Sequence, residues 1–169
     1  MKNLILIFFL TLIFSCNQHK STVETSNLPE LTESTNQETE TTEKIFITME
    51  RSPCYGQCAT YKIKIYNTGK VEYEGIKFAK KIGAYTKILN QNQLTEIKNQ
   101  IEFIKLFEMK DKYDSNISDI PSTLVLVIYK GKKKIILDRF GAPNELKQFE
   151  KLIDYFVIDD KLIKAEDKN

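Results

Sequence analysis

The chain has 169 residues, 41% of them hydrophobic, 11% aromatic and 28% charged, with a formal net charge of +2. That balance excludes a wholly disordered or collagen-like polymer, and the length fits one ordinary domain. The average conceals three unlike stretches: residues 1–16 are almost entirely apolar, 17–43 almost entirely polar, and 44–169 carry the mixed pattern of a folded domain.

Lys2 gives the chain a positive start, and Leu4 to Phe14 is an apolar run of 11 residues broken only by Thr11. Such a run is too short to span a hydrocarbon core, which needs about 20 residues, and it has the length and flanks of a secretory signal. It ends in Ile13-Phe14-Ser15-Cys16, which resembles the lipobox of bacterial lipoproteins. In that pathway the cysteine is acylated and becomes the first residue of the mature protein. Residues 1–15 are therefore expected to be a lipoprotein signal peptide and Cys16 the lipidation site. A plain secretory peptide or an uncleaved anchor are the competing readings. Acylation would hold the chain on a membrane, since each buried methylene contributes ~0.8 kcal/mol and two or more acyl chains anchor stably. Asn17 stands where many inner-membrane lipoproteins have Asp. The expected location is the bacterial cell envelope, with the outer membrane preferred and the domain in the periplasm.

Between Cys16 and residue 43 the chain reads as an acidic tether. Thr, Ser, Asn, Gln and Glu fill 21 of the 27 positions from 17 to 43, and six Glu face one Lys. With no aromatic residue and little apolar surface, the segment cannot offset its chain entropy and is expected to be disordered. As a flexible coil it would span on the order of 30 Å. His19, the only histidine, falls here, so residues 44–169 contain none. Removing the +1 of Lys2 and the −5 of the tether from the total of +2 leaves +6 on residues 44–169. An exported domain meets little nucleic acid, so anionic lipid or glycan headgroups are the available partners for that charge. The expected partners are the membrane, through the N-terminal lipid, and an envelope protein or glycan.

From residue 44 onward the pattern predicts structure. Lys44 to Glu50 is a short strand. Thr60 to Asn67 alternates strictly, with Tyr61, Ile63 and Ile65 on one face. Asn67-Thr68-Gly69 makes a tight turn, and Val71 and Tyr73 alternate again on the return strand, so a β-hairpin is expected. Ala84 to Leu89 adds a possible fourth strand. Asn90 is an N-cap with Gln93 as its capping-box partner, ahead of a stripe of Leu94, Ile97, Ile101, Ile104 and Phe107 at helical spacing. Ser122 to Lys130 is nearly continuous β-prone apolar sequence, as in a central strand covered on both faces. Lys130-Gly131 turns the chain into a strand from Lys133 to Arg139, and the lysine run 130–134 reads as a solvated hairpin tip whose lysines protect an edge strand. Pro143 suits the first turn of a last helix, with Leu146, Phe149, Leu152, Ile153 and Phe156 as its buried stripe. The fold class is α+β, in the order β-β-β-(β)-α-β-β-α. An antiparallel sheet of five to six strands is expected, with both amphipathic helices on one face. The domain covers 44–163 and a charged tail 164–169.

One constellation carries chemistry: Arg51-Ser52-Pro53-Cys54-Tyr55-Gly56-Gln57-Cys58-Ala59-Thr60-Tyr61. With Cys16 committed to lipid, two thiols remain, four apart, in an oxidising compartment. A disulfide closing a small loop is the default, with Pro53 and Gly56 supplying the bends. Two other readings stand beside it. Thiol-redox pairs usually sit as Cys-x-x-Cys at a helix N-terminus, whereas here the spacing is one residue longer and a strand follows. Two cysteines also suit Cu(I), although copper carriers add a histidine that this domain lacks. Cys54 and Cys58 are thus weak metal candidates, and no other metal ligand, cofactor or catalytic residue is expected. Asp114-x-Asn116-x-Ser118 has calcium-loop spacing but lacks the required Gly and Glu.

This motif is similar to the hallmark of a bacterial domain-of-unknown-function family of small envelope proteins, often lipoproteins, which begins Arg-x-Pro-Cys-x-Gly-x-Cys-Pro-x-Tyr. Arg51, Pro53, Cys54, Gly56, Cys58 and Tyr61 match, and Ala59 stands in place of the second Pro. The likeness continues through Gly69-x-Val71-x-Tyr73-x-Gly75 and Asp119-x-Pro121, and covers roughly residues 45–156. It implies an envelope location and one compact domain, and brings no activity. The chain has 23 Lys but only two Arg, Arg51 and Arg139. An arginine in so lysine-biased a chain suggests a need for a planar, multidentate donor. Arg51 is expected to tie the cysteine loop to a carboxylate or to backbone carbonyls, with Asp119 one candidate.

Overall fold

The alternating stretches become strands because every second side chain can leave water together. The computed structural model describes residues 42–165. The expected signal peptide, Cys16, most of the expected tether and the end of the tail therefore lie outside the described residues. In chain order the elements are β1 (Ile45–Arg51), β2 (Thr60–Tyr66), β3 (Lys70–Lys77), β4 (Gly83–Ile88), α1 (Gln91–Phe103), β5 (Lys112–Tyr113), β6 (Thr123–Tyr129), β7 (Lys132–Asp138), α2 (Asn144–Val157) and β8 (Ile163–Lys164). They form an α+β fold with one mixed sheet in the order β5-β7-β6-β1-β2-β3-β4-β8. Only β5 runs parallel to its neighbour, β7. The sheet thus has eight strands and is mixed, not antiparallel with five to six. The six long strands fall on the stretches expected to be strands. The surplus consists of the two-residue strands β5 and β8, which are too short to show any period.

The core lies between one face of this sheet and the two helices. Ile47, Met49, Ile63, Ile65, Val125 and Ile136 are fully buried there against Leu94, Ile97 and Ile101 of α1 and Leu146, Phe149 and Ile153 of α2. The other sheet face is open. This corrects the expectation for β6, which is central in the sheet but covered on one side only. Val125 and Val127 are buried, while Leu124 and Ile128 remain 41% and 39% exposed. Among the described residues no helix is long and apolar enough to cross a membrane.

Asn90 caps α1 through the expected capping box: its side chain accepts from the Gln93 amide, and the Gln93 side chain accepts from the Asn90 amide. The helix stops at Phe103 instead of reaching Phe107. Lys105 takes φ +50°, and a 3-10 turn over Leu106–Glu108 then drives Leu106 into the core. Pro143 sits one position earlier than expected, as the N-cap of α2, where its carbonyl accepts from the amides of Leu146 and Lys147. At the C-terminus of α2, buried Lys87 of β4 donates to the Phe156 carbonyl at 2.8 Å and to Asp159 at 2.6 Å. That cation satisfies a helix-end carbonyl where the helix dipole favours positive charge.

Strand register defines two ends of the sheet. At the near end, where the chain enters β1, lie the turn at Asn67–Gly69 and the turn at Lys130–Gly131. Gly69 takes φ +89°, which only glycine adopts without strain. At the far end lie the loop joining β1 to β2, the loop joining β3 to β4, and the segment leading into β6. Gly75 is needed there, because a Cβ would overlap the Lys81 carbonyl that accepts from the Tyr73 hydroxyl. The lysine run divides at the near end: Lys132 and Lys133 are exposed, whereas Lys134 reaches back to Asp111 and the Met109 carbonyl.

Candidate functional site

The cysteine motif occupies the far end. Cys54 and Cys58 are joined in a disulfide that closes the loop between β1 and β2. The chain bends through residues 55–57, with Pro53 just ahead of the ring, and the Gly56 amide donates to the Cys54 sulfur at 3.3 Å. Backbone and hydroxyl bonds stitch the loop to the segment before β6. The Ser52 amide donates to the Ser122 carbonyl at 2.9 Å, and the Ser122 amide donates to the Ser52 hydroxyl at 2.8 Å. The Tyr55 amide reaches the Asp119 carbonyl at 3.4 Å. Asp119 takes φ +63° at that bend, just ahead of Pro121. The tip of the knuckle is Tyr55, whose side chain stands 93% exposed.

Arg51 and Tyr61 flank the loop as cross-strand partners on β1 and β2. Strand parity aims both inward: Arg51 continues the face of Ile47 and Met49, and Tyr61 that of Ile63 and Ile65. There the guanidinium fans out. Its Nε donates to the Tyr61 hydroxyl at 2.7 Å, Nη1 to Thr123 Oγ1 at 2.8 Å and Glu150 Oε2 at 3.4 Å, and Nη2 to Asp154 Oδ2 at 2.7 Å. Tyr61 in turn donates to Asp154 Oδ1 at 2.6 Å. A multidentate role for Arg51 is therefore found, but the carboxylates belong to α2, not to Asp119. Asp119 lies in a surface loop and meets the knuckle through its backbone. Burial works against the Arg51 charge, but Asp154, with Tyr61 and Glu150 adding to it, more than offsets this and holds the pKa above its ordinary value. Burial, followed by the Asp154 carboxylate, raises the pKa of the Tyr61 hydroxyl.

Beneath the guanidinium lie two carboxyl groups that sequence reasoning missed. Glu150 is 2% exposed and Asp138 1% exposed. Asp138 forms an ion pair with Lys147, and the Glu150 side chain lies within hydrogen-bonding reach of Asp138. Glu150 Oε1 has no hydrogen-bond donor, and the Lys147 ammonium is the donor group beside Asp138. Burial pushes the Glu150 pKa up, Arg51 opposes this, and Asp138 adds to the rise, for a value of about 7. A sequence signal existed: Glu150 stands four residues after Leu146 and three before Ile153, inside the apolar stripe of α2. Asp138 likewise shares strand parity with buried Ile136.

A cleft of about 470 Å³ opens beside the knuckle, lined by Ser52, Pro53, Cys54, Tyr55, Asp119, Ile120, Ser122, Leu137 and Arg139. Both arginines of the chain thus serve the same sheet end, Arg51 on the inner face and Arg139 on the cleft, where it lies 3.7 Å from Asp114. Closing so small a ring stabilises the fold by about 2 kcal/mol in the chain-entropy treatment. Reduction, or the Cys54→Ser/Cys58→Ser pair, should therefore lower Tm by several degrees in a thermal melt and leave unfolding cooperative. A reduced protein that no longer folds would assign the bond a larger role.

A mixed eight-stranded sheet backed by two helices, with a disulfide knuckle pinned to the last helix by arginine and tyrosine, defines a small α+β domain whose motif residues are mainly architectural. The family described as domain of unknown function DUF6438 matches residues 45–157, and the chain belongs to that family. No curated protein matches the chain.

Proposed function

We propose that the chain is a lipid-anchored envelope protein, held through Cys16, whose domain is a non-enzymatic binding module. The far end binds a protein partner. The observation that carries this reading is the set of large apolar side chains left exposed on the far-end loops: Tyr55 on the knuckle, Phe78 and Ile82 on the neighbouring loop, and Phe140 after β7. Exposed aromatics on rigidly held loops are the usual anchors of protein interfaces. The disulfide and the Arg51 clamp hold the knuckle in one shape, which lowers the ordering cost of binding. A copper role would need Cys54 and Cys58 as free thiols, and a thiol-redox role would need their bond to cycle readily; no feature among the described residues favours either.

The test combines fractionation with in-cell photo-crosslinking. Cys16→Ser should move the chain from the membrane to the soluble fraction. A photoreactive residue at Tyr55 or Ile82 should yield a discrete protein adduct that Phe78→Asp abolishes, and one at Glu96 on α1 should not. Membrane retention of Cys16→Ser would refute the anchor. Equal adducts from Glu96, or adducts to glycan only, would refute the protein-binding far end.

A further inference from the structure

The near end has its own surface chemistry. Lys105, Lys130 and Lys132, with Glu102 and Glu108, line a groove of about 250 Å³ together with Leu106, Phe107 and Tyr129, so the lysines there outnumber the acids. Glu102 neutralises Lys130 at 2.6 Å. Lys44, Lys105, Lys132 and Lys133 are exposed and make no ion pair among the described residues. Four large apolar side chains also stand exposed toward this end: Ile45, Ile88 and Ile128 at strand ends by register, with Ile88 on the other half of the sheet from Lys132, and Phe103 at the end of α1. Unpaired lysines and exposed apolar side chains at one end of a domain are the chemistry of an interfacial membrane contact, where lysine meets anionic headgroups and the apolar groups enter the boundary. The chain also enters the domain at this end, through Lys44 and Ile45.

We propose that the near end of the domain docks on an anionic lipid surface, through Lys105, Lys132, Lys133 and the exposed apolar side chains around them. This inference rests on the lipid anchor and adds to it an orientation: the basic end faces the bilayer, and the knuckle with Tyr55 faces away. The acidic sequence 17–43 is the rival occupant of the lysines, since Glu43 already pairs with Lys70 at 3.0 Å. It offers charge alone, whereas a bilayer also takes up Phe103 and Ile88.

The test uses the acylated full-length protein in vesicles of phosphatidylcholine with or without phosphatidylglycerol. Cys16 is acylated and Cys54 is bonded to Cys58, so a cysteine introduced as Thr68→Cys at the near end, or Ile82→Cys at the far end, is the single free thiol for a dye. Energy transfer to acceptor lipids should be stronger from position 68 than from position 82 when phosphatidylglycerol is present. The difference should vanish in pure phosphatidylcholine and in the Lys105→Glu/Lys132→Glu/Lys133→Glu variant. Each lysine near such a surface shifts the docking equilibrium by about fivefold, so the triple variant should shift it by at least about a hundredfold. Equal transfer from the two positions would overturn the orientation. Near-end transfer indifferent to lipid charge would give the lysines to the acidic sequence and overturn lipid docking. A chain that fails to float with the vesicles would overturn the anchor, and the docking with it.

Discussion

Arg51→Met should lower Tm by about 10 °C, the largest loss expected from a single side chain at this site. The guanidinium donates to Tyr61, Thr123, Glu150 and Asp154 at once. Removing it leaves the Asp154 carboxylate and the buried Glu150 side chain without the guanidinium that both now face. Breaking a buried ion pair by deleting one partner costs about 3–5 kcal/mol, and the lower figure applies here because Arg51 and Asp154 are each about a quarter exposed. A domain of this size loses about 3–4 °C per kcal/mol. Arg51→Lys keeps the charge but not the fork, and it cannot reach four acceptors in their present places. It should fall between the parent and Arg51→Met, with faster proteolysis in the 52–59 loop. Thermal melts and limited proteolysis read both effects. A Tm unchanged in Arg51→Lys would mean that charge alone, without the planar geometry, holds the knuckle to α2.

Stability should also fall as pH rises from 5 to 8. The Glu150 pKa is raised on folding from 4.5 to about 7, so the folded state binds its proton more tightly than the unfolded chain does. The associated stability is fully present below about pH 4.5 and is lost as pH climbs through about 7. The shift corresponds to about 3 kcal/mol at most. Other shifted carboxylates act elsewhere: Glu72, Glu102, Asp114 and Asp159 have lowered pKa values, and their contribution is lost only as pH falls below the ordinary carboxylate range. The window from pH 5 to 8 therefore isolates Glu150. Glu150→Gln keeps a neutral group that donates to Asp138 and accepts from Arg51. It should flatten the pH profile and exceed the parent in Tm at pH 8. Denaturant unfolding at several pH values measures this. A parent profile flat over that window, or a Gln variant that follows the parent, would show that Glu150 is ionised in the fold.

The parts legible in the sequence were those with local causes. Alternation in Thr60–Tyr66 placed β2, the Asn90–Gln93 reciprocity placed the start of α1, and positive φ at Gly69 placed a turn. The proximity of Cys54 and Cys58 in sequence made their pairing the default. What escaped depends on distant partners. The two residues of β5 become a strand only because β7 lies alongside, and those of β8 because β4 does. Apolar Leu124 and Ile128 suggested a cover that the open sheet face does not supply. Arg51 announced itself by rarity, but its partner Asp154 lies 103 residues away on a helix. Strand parity fixes which way Arg51 points and cannot say which acid waits there. Glu150 and Asp138 stood at apolar positions of their own elements, and that breach of pattern was the available clue.

The clamp that joins β1 to α2 also fixes an order of assembly. An exported chain crosses the membrane from its N-terminus, so the Cys54–Cys58 ring can close as soon as five residues have emerged together on the oxidising side. Strand β1, by contrast, must wait for β6 on one side, and Arg51 must wait for Asp154 near the end of α2. Contacts of such long sequence separation form late and slow the search for the native state. A nascent chain missing its last helix would therefore hold a finished ring in an unfinished body, with a guanidinium, a phenol and half a sheet still in solvent. Native structure here arrives as a closing act, on completion of the polypeptide.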